Sequence, residues 1–190
     1  MIDPSLPAVS ITSLEIEYRA ESRVVCLPPY TPSTFRGTLG NALRQISCTT
    51  GNEECSGCPR LSQCPYGLVW DSGAFVGQRR FRDPPRPYVV VGACGKKPRR
   101  YQPGETFSFR LSLFGMARAF VPQIVLAARR AGKFGFGADR AEAELVRVER
   151  LDLCESPMLL FSADMGMADS SGMDGWVVAP VPIGRRPAMV

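Results

Sequence analysis

Four cysteines fall within seventeen residues, Cys48, Cys55, Cys58 and Cys64, in the spacing C-x6-C-x2-C-x5-C. Cys55-Ser56-Gly57-Cys58 reads as a knuckle, in which two thiolates grip one ion while Gly57 lets the backbone turn tightly. Four thiolates at ~2.3 Å in a tetrahedron make a closed structural zinc site, the expectation adopted for this stretch. An iron–sulfur cluster uses the same donor set. Unmetallated thiols and disulfides are the remaining alternatives, and the reducing cytosol opposes the disulfides. Cys26, Cys94 and Cys154 are scattered and read as ordinary small core or turn residues.

The chain has 190 residues and no histidine, which excludes Ser-His-Asp and Cys-His catalysis and any histidine general base. The first residues lack the basic and apolar regions of a signal peptide, and no apolar run approaches the ~20 residues of a membrane helix, so a cytoplasmic protein is expected. Net charge is +5, but it is unevenly spread. Arg79, Arg80, Arg82, Arg86, Lys96, Lys97, Arg99, Arg100 and Arg110 face only Asp83 and Glu105 in the middle of the chain, whereas Glu142 to Asp174 is acidic. A basic stretch interleaved with Phe81, Tyr88 and Tyr101 suits a polyanion with unpaired bases. The bland alternative is a solvated loop.

These groups need elements to hold them. Ile11 to Tyr18 alternates as a strand, which Val24 to Leu27 extends after a bend. Thr31 as cap and Pro32 at the first helical position open a helix to Ile46, with Phe35, Leu39, Leu43 and Ile46 on one face. Gly37 and Gly40 cost that helix ~1 kcal/mol each relative to alanine, so either close packing or close approach of a ligand backbone must explain them. Residues 47–66 then form the cysteine insertion and residues 67–87 a long basic loop. Tyr88 to Ala93 is a strand, Gly95 to Gly104 a basic turn, and Thr106 to Phe114 a cleanly alternating strand. Met116 to Ala131 is a second helix with Pro122 in its first turn, Gly132 to Arg140 a glycine-rich loop, and Ala143 to Leu151 a strand. The tail carries two short strands, Met158 to Phe161 and Trp176 to Val178. The order β-α-β-β-α-β predicts an α+β, ferredoxin-like domain over residues 8–152, a four-stranded antiparallel sheet with two helices on one face, followed by an extension over 153–190.

Five short motifs in order carry a family resemblance. They are Leu27-Pro28-Pro29-Tyr30 leading into Ser33 to Gly40 and the cysteine knuckle, Pro87-Tyr88-Val89, Tyr101 to Glu105, Leu113-Phe114-Gly115, and Gly132 to Arg140. Together they resemble the CRISPR-associated RAMP superfamily, above all the N-terminal half of the precursor-crRNA-processing endoribonucleases. The resemblance implies a RAMP (RRM-like) fold and a role in antiviral defence. The processing enzymes commonly have two tandem domains and often use histidine. One domain without histidine is more similar to the subunit that caps the 5′ handle of the guide RNA in a type IV-like effector ribonucleoprotein complex. On that resemblance, the partners are crRNA, a repeated backbone subunit, the large subunit and, further, target DNA, with no membrane. The implied RNA-binding residues are Tyr30, Arg36, Arg44, Arg79, Arg80, Arg82, Arg86, Lys96, Lys97, Arg99, Arg100, Lys133, Phe134, Gly135, Gly137 and Arg140. Bases would stack on Tyr30, Tyr101, Phe134 or Phe136, the last two being equally readable as core. No catalytic residue is assigned. The alternative function is a metal-independent endoribonuclease that processes precursor crRNA, with Tyr30 or a lysine as base, and a third is a zinc-containing DNA-binding regulator.

Overall fold

A computed structural model of the chain describes residues 9–51, 54–55, 57–71, 85–151, 157–167 and 176–178. Strand β1 (Val9–Ala20) buries Leu14, Ile16 and Tyr18 on one face because side chains alternate along a strand. It pairs antiparallel with β5 (Thr106–Phe114) in the register Leu14↔Leu111, Ile16↔Phe109 and Tyr18↔Phe107, so the two apolar sets share that face. On its other side β1 pairs antiparallel with β6 (Ala143–Leu151), with a register shift between Glu17 and Tyr18. Strand β3 (Tyr88–Val91) pairs with β5 and stands at the sheet edge. Beyond β6 come β7 (Met158–Ser162) and β8 (Gly166–Met167), while β9 (Trp176–Val178) pairs with the start of β1. The stretch expected as an extension thus adds three strands to the same sheet, whose path runs β3-β5-β1-β6-β7-β8.

Helix α1 (Thr31–Ser47) buries Phe35, Leu39, Ala42 and Leu43 against this face. Thr31 does not cap it as expected: Tyr30 holds the cap position, and the Thr31 hydroxyl donates to the Ala93 carbonyl at 2.9 Å instead. That bond ties the helix start to the chain leaving β3. Ile46, expected on the buried face, is instead 41% exposed. Helix α2 (Val121–Phe134) follows a 3-10 turn, Gly115–Phe120, so it starts later than the sequence pattern indicated, with Pro122 in its first turn. It buries Ile124, Ala127, Ala128 and Ala131, and the buried Tyr18 hydroxyl donates to the Ala128 carbonyl at 2.7 Å. The core between sheet and helices is aromatic. Phe35 stacks on Phe109 at 4.3 Å, and Phe136 meets Tyr18 edge-on at 4.8 Å. Such pairs add about 0.5–1.5 kcal/mol each beyond their buried area.

The opposite sheet face is a ladder of charges. Glu15 meets Arg110, Glu17 meets Arg147, and Arg19 meets Glu144 at 2.8 Å. A second, two-stranded sheet joins β2 (Val25–Leu27) to β4 (Arg99–Tyr101). The basic turn expected between Gly95 and Gly104 therefore contains a strand, held by Val25↔Tyr101 and Leu27↔Arg99. Among the described residues, no helix is long and apolar enough to cross a membrane.

Candidate nucleic-acid interface

Helix α1 presents its outer face between two grooves. At 3.6 residues per turn, Ser33 and Arg36 fall on one flank, Thr38, Asn41 and Gln45 on the other, and Gly37 lies between them. The first groove is lined by Tyr30, Pro32, Ser33, Arg36, Arg86, Tyr88, Val89 and Val90. Tyr30 is 58% exposed there, an open ring beside two guanidinium groups. Arg86 donates from Nε to the Trp70 carbonyl at 2.9 Å, and the Trp70 indole stacks on Tyr88 at 4.1 Å. Burial raises the Tyr88 pKa above its ordinary value, against the pull of Arg36 and Arg86.

The second groove runs between α1 and the glycine-rich loop and is lined by Thr38, Asn41, Arg44, Gln45, Phe134, Gly135, Gly137 and Arg140. Gly135 and Gly137 both have φ of 76°, where a side chain is strained. A Cβ on Gly135 would overlap the Arg140 carbonyl, and one on Gly137 the Cys26 carbonyl. The chain's own backbone thus accounts for both glycines. Arg140 has φ of 46°, and its carbonyl accepts from Arg23 Nη2 at 3.2 Å. Phe134 is half-buried beneath the Arg130 guanidinium at 5.3 Å.

The β2–β4 ribbon adjoins both grooves. Gly137 packs on Cys26, whose β4 partner is Arg100, and Gly95 donates to the Pro29 carbonyl at the start of α1. Arg99 and Arg100 are exposed on it, and Lys96 and Lys97 are exposed just before β4. Twelve of the sixteen residues named for RNA binding therefore surround the outer face of α1, and the remaining four divide as follows. Lys133 sits apart, its ammonium held by Glu21 at 2.8 Å and Glu142 at 3.7 Å, which raises its pKa. Arg79, Arg80 and Arg82 lie outside the described residues. Phe134 is among the twelve, lining the second groove. Phe136 is buried in the aromatic core and offers no face to a base, while Tyr101 is half-buried and leans on Phe107 at 5.1 Å.

Cys48, Cys55, Cys58 and Cys64 all line one concavity at the end of α1. Cys58 N–H donates to the Cys55 carbonyl at 3.1 Å around Gly57, whose φ is 74°. The Thr50 hydroxyl lies 3.8 Å from the sulfurs of both Cys48 and Cys58. Bonds from Thr50 and from the Gly51 backbone lower the Cys48 pKa. Burial and the Asp71 carboxylate push the Cys55 thiol up to about 11. Among the described residues, no three His, Cys, Asp or Glu side chains stand gathered as a metal-ligand group. The four thiols suit zinc in donor type. The segment returns to the core through a π-helical turn, Tyr66–Asp71, which buries Leu68, Val69 and Trp70 where only loop was expected. Trp70 is the site residue that sequence reasoning missed; the apolar run Leu68-Val69-Trp70 was its signal.

The chain matches the AF_1859_N family, described as an N-terminal domain, over residues 6–171, and it belongs to that family. No curated protein matches it. Among solved structures, a chain from a crystal structure of the Csm3-Csm4 subcomplex in the type III-A CRISPR-Cas interference complex is similar at 12% identity and a TM-score of 0.44, over 77% of this chain and 78% of that one. A likeness of that size carries no functional argument.

Proposed function

We propose that this chain is a non-catalytic RNA-binding subunit of a CRISPR effector ribonucleoprotein, holding the 5′ handle of the crRNA across the outer face of α1 and capping the backbone filament. The single observation that carries this reading is the convergence of Tyr30, Arg36 and Arg86 in one groove and Arg44, Gly135, Gly137 and Arg140 in the other. The motifs that resemble RAMP proteins supply most of these residues, and the unit β1-α1-β3-β5-α2-β6 is read as their ferredoxin-like core. In this role the arginines neutralise phosphates, and Tyr30 stacks on an unpaired base. Gly37 has no described atom within 4 Å of where a Cβ would stand, which leaves room for a phosphate backbone to pass over the helix between the grooves. A zinc ion held by Cys48, Cys55, Cys58 and Cys64 would supply structure, fixing the insertion that presents the chain to the backbone and large subunits.

The test is incubation of the purified chain with its repeat RNA. Retention of intact RNA, weakened by Arg36→Gln, is the expected result. Defined cutting at one site would overturn it in favour of the processing nuclease.

A further inference from the structure

The concavity with four cysteines and the two arginine grooves are joined by one short element, the Tyr66–Asp71 turn. We propose that the concavity is an effector site for a thiophilic divalent cation, and that its occupancy sets both grooves through this turn. The inference rests on the RNA-binding reading above and names a regulator of that same surface.

The turn touches every party. At its start, the Tyr66 ring carries the Arg44 guanidinium at 5.8 Å, and Arg44 lines the glycine-loop groove. Further on, the Trp70 carbonyl holds Arg86 Nε and the Trp70 indole stacks on Tyr88, both in the other groove. The Leu68 N–H donates to the Cys64 carbonyl at 2.9 Å, so a ligand cysteine is bonded into the turn. At the other limb, Cys48 closes α1, donating from its N–H to the Arg44 carbonyl at 2.8 Å. A cation that cross-links Cys48 to Cys64 therefore fixes the end of the helix bearing Arg44 against the start of the turn bearing Tyr66.

Among the described residues, none from Cys48 to Gln63 belongs to the buried hydrophobic core, which resumes at Leu68. Closing a loop by metal coordination removes conformational freedom from it. The structured turn is thus favoured by the metal and required by the grooves, which is the differential affinity that coupling needs. Coupling in equilibrium binding is reciprocal, so the factor by which zinc tightens RNA binding must equal the factor by which RNA tightens zinc binding.

The experiment compares the full chain loaded with zinc and the same chain stripped by a chelator. RNA affinity is read by fluorescence anisotropy with labelled single-stranded repeat RNA. Zinc affinity is read by competition with a chromophoric chelator, with and without that RNA. The expected result is about tenfold weaker RNA binding by the stripped chain, and the same factor for zinc. Tyr66→Leu should take up zinc as the parent does but show a smaller coupling factor, because only the Trp70 arm remains. This variant keeps the inference falsifiable if the stripped chain unfolds. Equal RNA affinity in the two forms, an unchanged factor in Tyr66→Leu, failure to bind zinc, or a disulfide among the four cysteines would each overturn the proposal. Absence of RNA binding in both forms would instead overturn the binding-subunit reading, and this inference with it.

Discussion

Gly37 and Gly40 sit three residues apart in α1, and replacing each with alanine should move stability in opposite directions. Alanine gains about 1 kcal/mol over glycine in a helix interior. At Gly37 no described atom lies within 4 Å of the new methyl, so that gain is kept. At Gly40 the methyl would overlap the Trp70 indole nitrogen. Trp70 is buried and cannot withdraw without losing its stack on Tyr88. Overpacking costs about 1–3 kcal/mol and the lost stack about 1 kcal/mol more. Against the helix gain, Gly40→Ala should lose about 1–3 kcal/mol in all. For a chain of this size each kcal/mol moves the midpoint about 2–4 °C. Gly37→Ala should therefore melt a few degrees above the parent and Gly40→Ala several degrees below it, followed by far-UV circular dichroism. The decisive comparison is Gly40→Ala in a Trp70→Ala background, where the indole is gone and the substitution should become stabilising. A stabilising Gly40→Ala in the parent, or one that still destabilises without Trp70, would refute the reasoning.

Tyr18→Phe removes a buried hydroxyl bonded to the Ala128 carbonyl and should cost about 1 kcal/mol in urea unfolding. Burial raises the Tyr18 pKa far above its ordinary value, so the folded chain holds that proton where the unfolded chain releases it. Its contribution to stability is full below about pH 10 and falls as pH rises beyond, a slope that Tyr18→Phe should reduce. Arg140→Asn places a residue tolerant of positive φ at a position with φ of 46°, so it should hold or raise the melting temperature while weakening RNA binding. Lys133→Met, which removes a charge already paired with Glu21 and Glu142, should leave RNA affinity within about twofold of the parent by filter binding. In metal-free protein at neutral pH, iodoacetamide should modify Cys48, whose pKa is lowered, before Cys55, whose pKa is pushed up to about 11; the order is read by mass spectrometry.

The regular elements were legible where one period dominated. The alternation from Thr106 to Phe114 and the run from Ala143 to Leu151 gave both strands to the residue. Strand β4 was not legible, because Arg99–Tyr101 has no apolar alternation and exists only through its ladder with β2. Trp70 was hidden in a stretch whose Gly, Pro and Arg content reads as loop, and its partner Gly40 lies thirty residues earlier. The pairing resolves the question that the two glycines posed: Gly40 is required by packing, whereas Gly37 is free of it. Local pattern likewise left Phe136 undecided, and only the distant Tyr18, Phe35 and Phe107 make it core.

On the proposed reading, the placement of the RNA surface follows from where acidic groups go. The sequence divides into a basic middle and an acidic end, and folding sets part of each against charges of β1. Glu144 meets Arg19, Glu149 meets Arg147, Glu17 meets the same arginine, and Glu15 meets Arg110. The open sheet face is thereby neutralised and carries carboxylates that repel phosphate. Lys133 is consumed in the same way by Glu21 and Glu142. Among the described residues, Arg36, Arg86, Lys96, Lys97, Arg99, Arg100 and Arg140 form no salt bridge with a carboxylate, and all stand around α1 and the β2–β4 ribbon. A positive field builds only where charges of one sign gather unopposed. The helix side, not the sheet side, is therefore where a polyanion is drawn, and charge reversal at Arg100 should slow RNA association far more than charge reversal at Arg110. Equal effects at the two positions, measured by stopped-flow at low salt, would place the RNA on the sheet instead.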